Sequence, residues 1–250
     1  MNDIQTIDAI TKIGFLLLKH GSEIYRVEES LQRMCEGMGF TDVEVFAIPS
    51  YFTLSLTLPN GQRYQTSKRS RSNKTHLDHL HSLNCLVRQI SNHELSLEQI
   101  QQTIEKIENE PLNQKLILIG YIVSAAMFSV FFGGGFLEMC VGAFIGLILY
   151  YFSNLLEFLK INSIVCTILS SMVLSSIAIL AYQFHIIQDY QSVITGTLMI
   201  LVPGIAITNS LRDIMGGDFV SGLSRMIEAI LIAASIAIGV GVMMMILGGA

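Results

Sequence analysis

Apolar residues recur every three to four positions at the start of the chain, which is the spacing of one helical face. This first stripe consists of Ile4, Ile7, Ile10, Ile13 and Leu17. Gly21 interrupts the stripe, and Ser22 is placed to cap a second helix whose apolar stripe ends near Gly37 and Gly39. The pattern therefore predicts two successive amphipathic helices.

The hydrophobic period changes to two from Tyr51 to Leu58, where apolar and polar side chains alternate. Pro59-Asn60-Gly61 then predicts the turn of a β-hairpin that continues over 62–66. A strand over 43–48 is expected to pair with this hairpin. The alternation predicts a small antiparallel sheet.

Two further helices are predicted over 73–92 and 96–109, and Pro111 marks the end of this part of the chain. Together with the sheet they predict an α+β soluble N-terminal domain over 1–111. Lys68, Arg69 and Arg71 are expected to form a basic loop near lipid headgroups or water.

The rest of the chain, 112–250, is far more apolar. Five stretches approach the roughly 20 residues that a helix needs to cross the hydrocarbon core of a bilayer. They are 115–132, 136–156, 161–183, 190–210 and 223–247. The predicted fold class is thus an α+β soluble N-terminal domain followed by an all-α polytopic membrane domain of about five transmembrane helices.

Composition supports this division. The chain is 51% hydrophobic and 14% charged, and residues 1–114 hold 11 of its 15 Lys and Arg and 14 of its 20 Asp and Glu. The first part carries no excess of basic residues, so we expect no nucleic-acid partner. The four cysteines form no C-x-x-C pair, which disfavours a disulfide framework or a zinc ribbon.

The basic residues near the ends of the five stretches are Lys115, Lys160, Arg212 and Arg225. The positive-inside rule places all four on the cytosolic side if the N-terminus is cytosolic. The first residues have no basic flank ahead of a short apolar run, which argues against a cleaved signal. We therefore expect a multi-pass membrane protein with a cytosolic N-terminus and an external C-terminus.

A proline interrupts the fourth apolar stretch at Pro203, followed by Gly204. Proline removes a backbone donor from a helix, and the freed backbone groups need protein or water around them. Many transporters build a polar site from such a broken helix. A simple proline kink is the alternative interpretation.

Polar and charged residues follow the break and open the next helix: Thr208, Asn209, Arg212, Asp213, Ser221, Ser224, Arg225 and Glu228. Charges at membrane depth are costly unless they are paired or hydrated. Arg225 and Glu228 share a helical face and can pair with each other or with Asp213 and Arg212. Because guanidinium binds carboxylate through two parallel hydrogen bonds, the set predicts a site for a carboxylate-bearing solute.

The predicted substrate-binding residues are Pro203, Gly204, Thr208, Asn209, Arg212, Asp213, Ser221, Arg225 and Glu228. The alternative is that several of the charges only mark the cytosolic boundary of the membrane. Glu138 and Glu228 are candidates for proton coupling, although Glu138 also fits an ordinary interfacial acid. No catalytic residue and no cofactor are predicted.

The run from His76 to His81 resembles a metal-binding helix because His76 and His79 lie on one face. No second cluster of ligands accompanies it. We therefore expect solvated or partner-facing histidines and no metal.

Three motifs together resemble the threonine/serine exporter family. The first is Gly21-Ser22-Glu23-Ile24-Tyr25-Arg26-Val27-Glu28-Glu29, and the second is Pro49-Ser50. The third lies between 203 and 225 and consists of Pro-Gly, Asn-Ser-Leu-Arg-Asp, Gly-Asp and Ser-Gly-Leu-Ser-Arg. The resemblance implies a bacterial inner-membrane exporter of threonine and serine or, in two-subunit versions, of a dicarboxylate such as succinate. Single-chain members carry about ten spans. With five, this chain resembles the large subunit of the split form, whose smaller multispan partner supplies the other half; a homo-oligomer is the alternative.

Two other function classes compete with export. A membrane-anchored enzyme could use Arg26, Glu28 and Glu29, but the chain has no G-x-S-x-G, phosphate-loop or H-E-x-x-H motif. We therefore expect no enzyme. A ligand sensor that uses the N-terminal domain is the third possibility, although one anchor helix would suffice for it.

Overall fold

The computed structural model describes residues 3–70, 76–111 and 113–248. The helices are α1 (Asp3–Lys19), α2 (Ile24–Gly37), α3 (Leu77–Ser91), α4 (Leu97–Asn109), α5 (Gln114–Phe131), α6 (Phe136–Phe158), α7 (Ser163–Gln183), α8 (Tyr190–Leu198), α9 (Gly204–Met215) and α10 (Phe219–Leu247). The strands are β1 (Thr41–Ile48), β2 (Tyr51–Thr57) and β3 (Arg63–Arg69).

The predicted class of a separate soluble α+β domain followed by about five spans is wrong. The described residues form ten helices and only one three-stranded sheet. One compact unit combines Met1–Pro111 with Ile207–Met226, and the other combines Leu112–Ala206 with Ile227–Ala250. A segment from the apolar half of the chain therefore folds with the N-terminal residues. The assignment of 1–111 to the cytosol and 112–250 to the membrane stays a prediction.

The first unit has a continuous hydrophobic core to which α1–α4 and the sheet contribute. The stripes of α1 and α2 lie in this core, with Ile7, Leu17 and Leu31 fully buried, except for Ile4, which is exposed. Ser22 does not occupy the cap position of α2. Its amide instead closes the end of α1 by donating to the Leu17 carbonyl at 3.0 Å. Gly21 makes this termination possible with φ +83°. The cap position of α2 falls to Glu23 instead.

The sheet has the antiparallel order β1–β2–β3, which confirms the predicted hairpin and its partner strand. Leu54 of β2 pairs with Val45 of β1 and with Thr66 of β3. The alternating side chains of β2 point into the core on one side, as the sequence period requires. Lys68 and Arg69 lie in β3 instead of a loop, and Arg71 lies outside the described residues.

Four helices in the described part of the chain are long and apolar enough to cross a membrane: α5, α6, α7 and α10. The predicted span over 190–210 is instead divided into α8 and α9, with turns between Met199 and Pro203. Proline has no amide hydrogen, and it disfavours helical backbone at the preceding residue. The fourth stretch therefore fails as one continuous spanning helix.

Small residues bring the helices of the second unit into close contact. A Cβ atom added at Gly142 of α6 would lie 2.9 Å from the Ala125 carbonyl of α5, and one at Gly146 would lie 2.5 Å from the Tyr121 carbonyl. Gly142 and Gly146, which have the spacing G-x-x-x-G, thus mark close α5–α6 packing. In the same unit, Gly239 of α10 approaches Ser171 of α7.

Candidate solute-binding site

Arg212 of α9 forms an ion pair with Glu23, the residue that precedes α2. Arg26, one helical turn into α2, pairs with the other carboxylate oxygen of Glu23. The Arg212 side chain is 50% exposed, whereas the Glu23 side chain is only 10% exposed. A largely buried carboxylate therefore holds an accessible guanidinium group in place.

The neighbouring pair is buried more deeply. Arg225 of α10 lies 3.6 Å from a carboxylate oxygen of Asp213 of α9, and their side chains are 11% and 0% exposed. Arg225 also donates a 2.7 Å hydrogen bond from Nη2 to the backbone carbonyl of Ser22. This contact ties the start of α10 to the segment that leads into α2, within one compact unit.

Asp213 is incompletely satisfied, because neither carboxylate oxygen accepts a hydrogen bond of regular geometry from the described residues. Burial raises the pKa of Asp213 above its usual range, and the charge of Arg225 and the Ile24 amide only partly oppose this shift. The carboxylate thus depends on Arg225 for most of its compensation.

Glycine lets α9 and α10 approach closely enough to form these pairs. A Cβ atom added at Gly222 would lie 2.5 Å from the Ile214 side chain and 2.8 Å from the Ser210 carbonyl. Gly217 turns the chain between the two helices with φ +95°. The sequence places both glycines where the crossing requires them.

The backbone at the Pro203 break is less open than the sequence led us to expect. The amides of Met199, Ile200, Leu201 and Val202 all donate to carbonyls three or four residues earlier, at 2.8–3.3 Å. The Gly204 amide donates to the Val202 carbonyl at 2.8 Å. The donors of this turn are therefore satisfied within α8 and the turn itself.

The predicted site residues divide between the two compact units. Thr208, Asn209, Arg212, Asp213, Ser221 and Arg225 belong to the unit that contains the N-terminal residues. Pro203, Gly204, Glu138 and Glu228 belong to the other. Thr208 is exposed, Asn209 is half-buried and Ser221 is buried, whereas Ser224 donates to the Val220 carbonyl of its own helix.

The structure pairs Arg225 with Asp213, which was one of the partners that the sequence allowed. Glu228 is exposed on α10. It belongs to the second unit and lies outside the cluster of ion pairs in the first.

Glu138 holds together two loops of the second unit. One carboxylate oxygen accepts from the Gly135 amide at 3.0 Å, and the other accepts from the Gln188 amide at 2.9 Å and the Asp189 amide at 3.3 Å. Three amide donors give this carboxylate a structural task at the start of α6. Its proton-coupling role stays a prediction.

The three residues considered for an enzyme site have other partners. Arg26 pairs with Glu23, and Glu29 pairs with Arg33 at 2.5 Å. Glu28 accepts a 2.8 Å hydrogen bond from the Ala47 amide of β1, and burial raises the pKa of its carboxyl group. The Glu28 contact links α2 to β1, whereas the other two pairs lie within α2 and its cap residue.

The expectation of solvated histidines is wrong for His79, which is buried against His20. Their ring centroids lie 4.7 Å apart, and His79 Nδ1 lies 3.4 Å from His20 Nε2. His76 lies beside both rings. Within the described ranges, no group of three His, Cys, Asp or Glu side chains has the arrangement of a metal site.

Sequence reasoning did not assign Glu23 to the site, and it missed the Ser22 carbonyl. Glu23 lies inside the Gly-Ser-Glu motif that carries the family resemblance. That motif was the available signal. The spacing of 189 residues between Glu23 and Arg212 gave no further indication that they meet.

The fold and the cluster describe a polytopic membrane protein whose charged residues follow an interrupted helix. The family model for threonine/serine exporters matches residues 8–247, and the chain belongs to this family of membrane transporters. No match was found among curated proteins or solved structures.

Proposed function

We propose that the chain is a subunit of an exporter for small carboxylate-bearing metabolites, either threonine and serine or a dicarboxylate such as succinate. The observation that carries the proposal is the half-exposed Arg212, held by Glu23. A solute carboxylate has the same charge and geometry as the Glu23 carboxylate, so it can take its place on the guanidinium group. Arg212 is the proposed binding group, and Glu23 is its internal competitor.

Arg225 has a different proposed role, because its guanidinium group is largely buried and bonded to the Ser22 carbonyl. It positions α10 and compensates Asp213. Thr208, Asn209 and Ser221 are proposed to supply polar contacts near Arg212. For Pro203, Gly204 and Glu228, which belong to the other unit, a binding role stays a prediction from the sequence.

We further propose that a second, smaller multispan subunit completes the exporter, with a homo-oligomer as the alternative. The proposed location is the bacterial inner membrane, with a cytosolic N-terminus and an external C-terminus. Copurification with a small multispan protein would support the two-subunit form. Robust transport by the isolated chain in liposomes would contradict it.

Proton coupling is proposed for Glu228 and Glu138. Of the two, Glu138 also has a structural role, because its carboxylate accepts hydrogen bonds from three amides. Replacing Glu228 with Gln removes its titratable group with little change in size. Coupling through this residue predicts that the pH dependence of export changes in the Glu228→Gln variant. An unchanged pH profile would remove Glu228 from the coupling pathway.

Counterflow with a panel of labelled metabolites tests the function. The chain is reconstituted with and without its small membrane partner, and unlabelled solute is loaded inside the liposomes. Accumulation of labelled threonine, serine or succinate, with no accumulation of the corresponding amides, would support carboxylate export. Equal accumulation of acids and amides would contradict it.

A further inference from the structure

A cleft in the first compact unit is lined by side chains of α2 and α3. The proposed transport function assigns no binding role to these side chains. The volume of the cleft is about 440 Å³, a size typical of sites for small metabolites. Arginine side chains line it from both helices: Arg26 and Arg33 from α2, and Arg88 from α3. Among the described residues that line it, Glu29 supplies the only carboxylate.

The charges in this cleft do not balance. Glu29 pairs with Arg33 at 2.5 Å, which leaves Arg33 partly compensated. Arg88 donates to the Cys85 sulfur at 3.4 Å, and in the described part of the chain no carboxylate lies within ion-pairing distance of it. The lining thus carries three guanidinium groups against one carboxylate, and Arg88 is the least compensated of them.

His81 and four uncharged side chains complete the lining. Ser30 and Asn84 provide hydrogen-bonding side chains, whereas Tyr25 and Val87 provide apolar surface. The Tyr25 hydroxyl accepts a 3.0 Å hydrogen bond from Arg26 Nε, so these two lining side chains contact each other. An anion with a short carbon skeleton or a compact polyatomic core matches this combination of surfaces.

We propose that this cleft binds a small soluble dianion whose carboxylate or phosphate groups are held by Arg33 and Arg88. Two guanidinium groups on facing helices suit two separate negative groups, because each can form charge-assisted hydrogen bonds. The site is distinct from Arg212, and it does not depend on the direction or substrate of transport. Arg26 also lines the cleft, but its guanidinium group already forms an ion pair with Glu23.

Isothermal titration of the full-length purified protein tests this proposal, with succinate and pyrophosphate as probes and succinamide as the uncharged control. We expect saturable binding of at least one dianion and none of succinamide. Arg33→Gln and Arg88→Gln should each weaken binding by about tenfold, the effect of losing one charge-assisted hydrogen bond. Arg88→Lys should weaken it less, because it retains the charge.

Matched variants separate the cleft from other basic surfaces. Arg63→Gln, on the exposed strand β3, should leave the binding of both probes unchanged. Arg212→Ala, in the proposed transport site, should leave pyrophosphate binding unchanged, because pyrophosphate is not a proposed transport substrate. Glu29→Gln should tighten binding, because it removes the one competing carboxylate. Arg33 and Arg88 are exposed, so their replacement should leave the thermal unfolding midpoint close to wild type.

Two results would overturn the proposal. One is the absence of saturable binding of either dianion to the wild-type protein. The other is binding that disappears in Arg212→Ala but persists in Arg88→Gln, since the anion would then occupy the transport site. Loss of carboxylate export in Arg212→Ala, with pyrophosphate binding retained, would support both sites independently.

Discussion

Arg225 donates a 2.7 Å hydrogen bond to the carbonyl of Ser22, which lies 203 residues earlier in the chain. The same guanidinium group is the nearest positive charge to Asp213, at 3.6 Å. One side chain therefore links the start of α10, the end of α9 and the approach to α2. Replacement of Arg225 should therefore reduce the stability of the fold more than it reduces solute binding.

Replacing Arg225 with Met should destabilise the protein by about 3 kcal/mol, because a buried carboxylate loses its compensating charge. The measurement is the thermal unfolding midpoint of the purified protein. The double variant Arg225→Met/Asp213→Leu should recover much of the loss, since it removes the unpaired charge. Arg212→Ala, which breaks a half-exposed pair, is the matched control and should cost less than about 1 kcal/mol. Equal destabilisation by the two single variants would refute this assignment.

Replacing Glu23 with Gln should lower the apparent KM for a carboxylate solute. The neutral amide competes less well for Arg212, so the guanidinium group becomes more available. The expected change is about twofold to fivefold, the range of a partly exposed ion pair. Concentration-dependent counterflow provides the measurement. A higher KM would show that Glu23 helps to bind the solute or only maintains the structure.

Gly222→Ala should destabilise the contact between α9 and α10 by about 1–3 kcal/mol, because the added methyl group overlaps Ile214 and the Ser210 carbonyl. Gly241→Ala, farther along α10, is the control because an added Cβ atom there meets nothing within 4 Å. Thermal unfolding of the two variants compares a crowded glycine with an open one on the same helix. Similar midpoints would argue against the close crossing.

The contribution of His20 to the stability of the protein should fall as the pH is lowered from 6.5 towards 4. Burial and then the neighbouring His79 and His76 lower the pKa of His20 to about 4, with a further contribution from Lys19 and an opposing one from Glu108. The unfolded chain takes up a proton near pH 6.5 that the folded protein resists, so the unfolded state gains stability below that pH. The loss amounts to at most about 3 kcal/mol.

His20→Gln should therefore flatten the pH dependence of the unfolding midpoint between pH 4 and 6.5. His81→Gln serves as the control, because the His81 ring is exposed on α3. If both variants follow the wild-type curve, His20 does not provide the acid sensitivity.

Hydrophobic periodicity located most elements, because burial of one face dictates the apolar spacing of helices and strands. It identified the α1 and α2 stripes and the hairpin around Gly61. It overestimated the fourth span, because the apolar stretch continues on both sides of Pro203 although the helix turns before that residue. Sequence distance also concealed the return of 207–226 to the N-terminal unit.

The sequence singled out the charged residues of the cluster and allowed the Arg225–Asp213 pair, but it did not reveal their contacts with the N-terminal segment. Arg212, Asp213 and Arg225 stood out because charges are costly beside apolar segments. Their partners Glu23 and Ser22 could not be found by spacing, because ion pairs between distant segments are set by tertiary packing. The histidine cluster was hidden for the same reason, since His20 follows α1, whereas His76 and His79 lie at the start of α3.

Counterflow of labelled carboxylate solutes by wild type, Arg212→Ala and Arg212→Lys tests the proposed transport role most directly. All three proteins are reconstituted with the partner subunit and normalised to inserted protein. We predict that Arg212→Ala reduces carboxylate flux by about tenfold or more and that Arg212→Lys retains an intermediate flux, because lysine keeps the charge without the two parallel hydrogen bonds. Wild-type flux in Arg212→Ala would contradict the account.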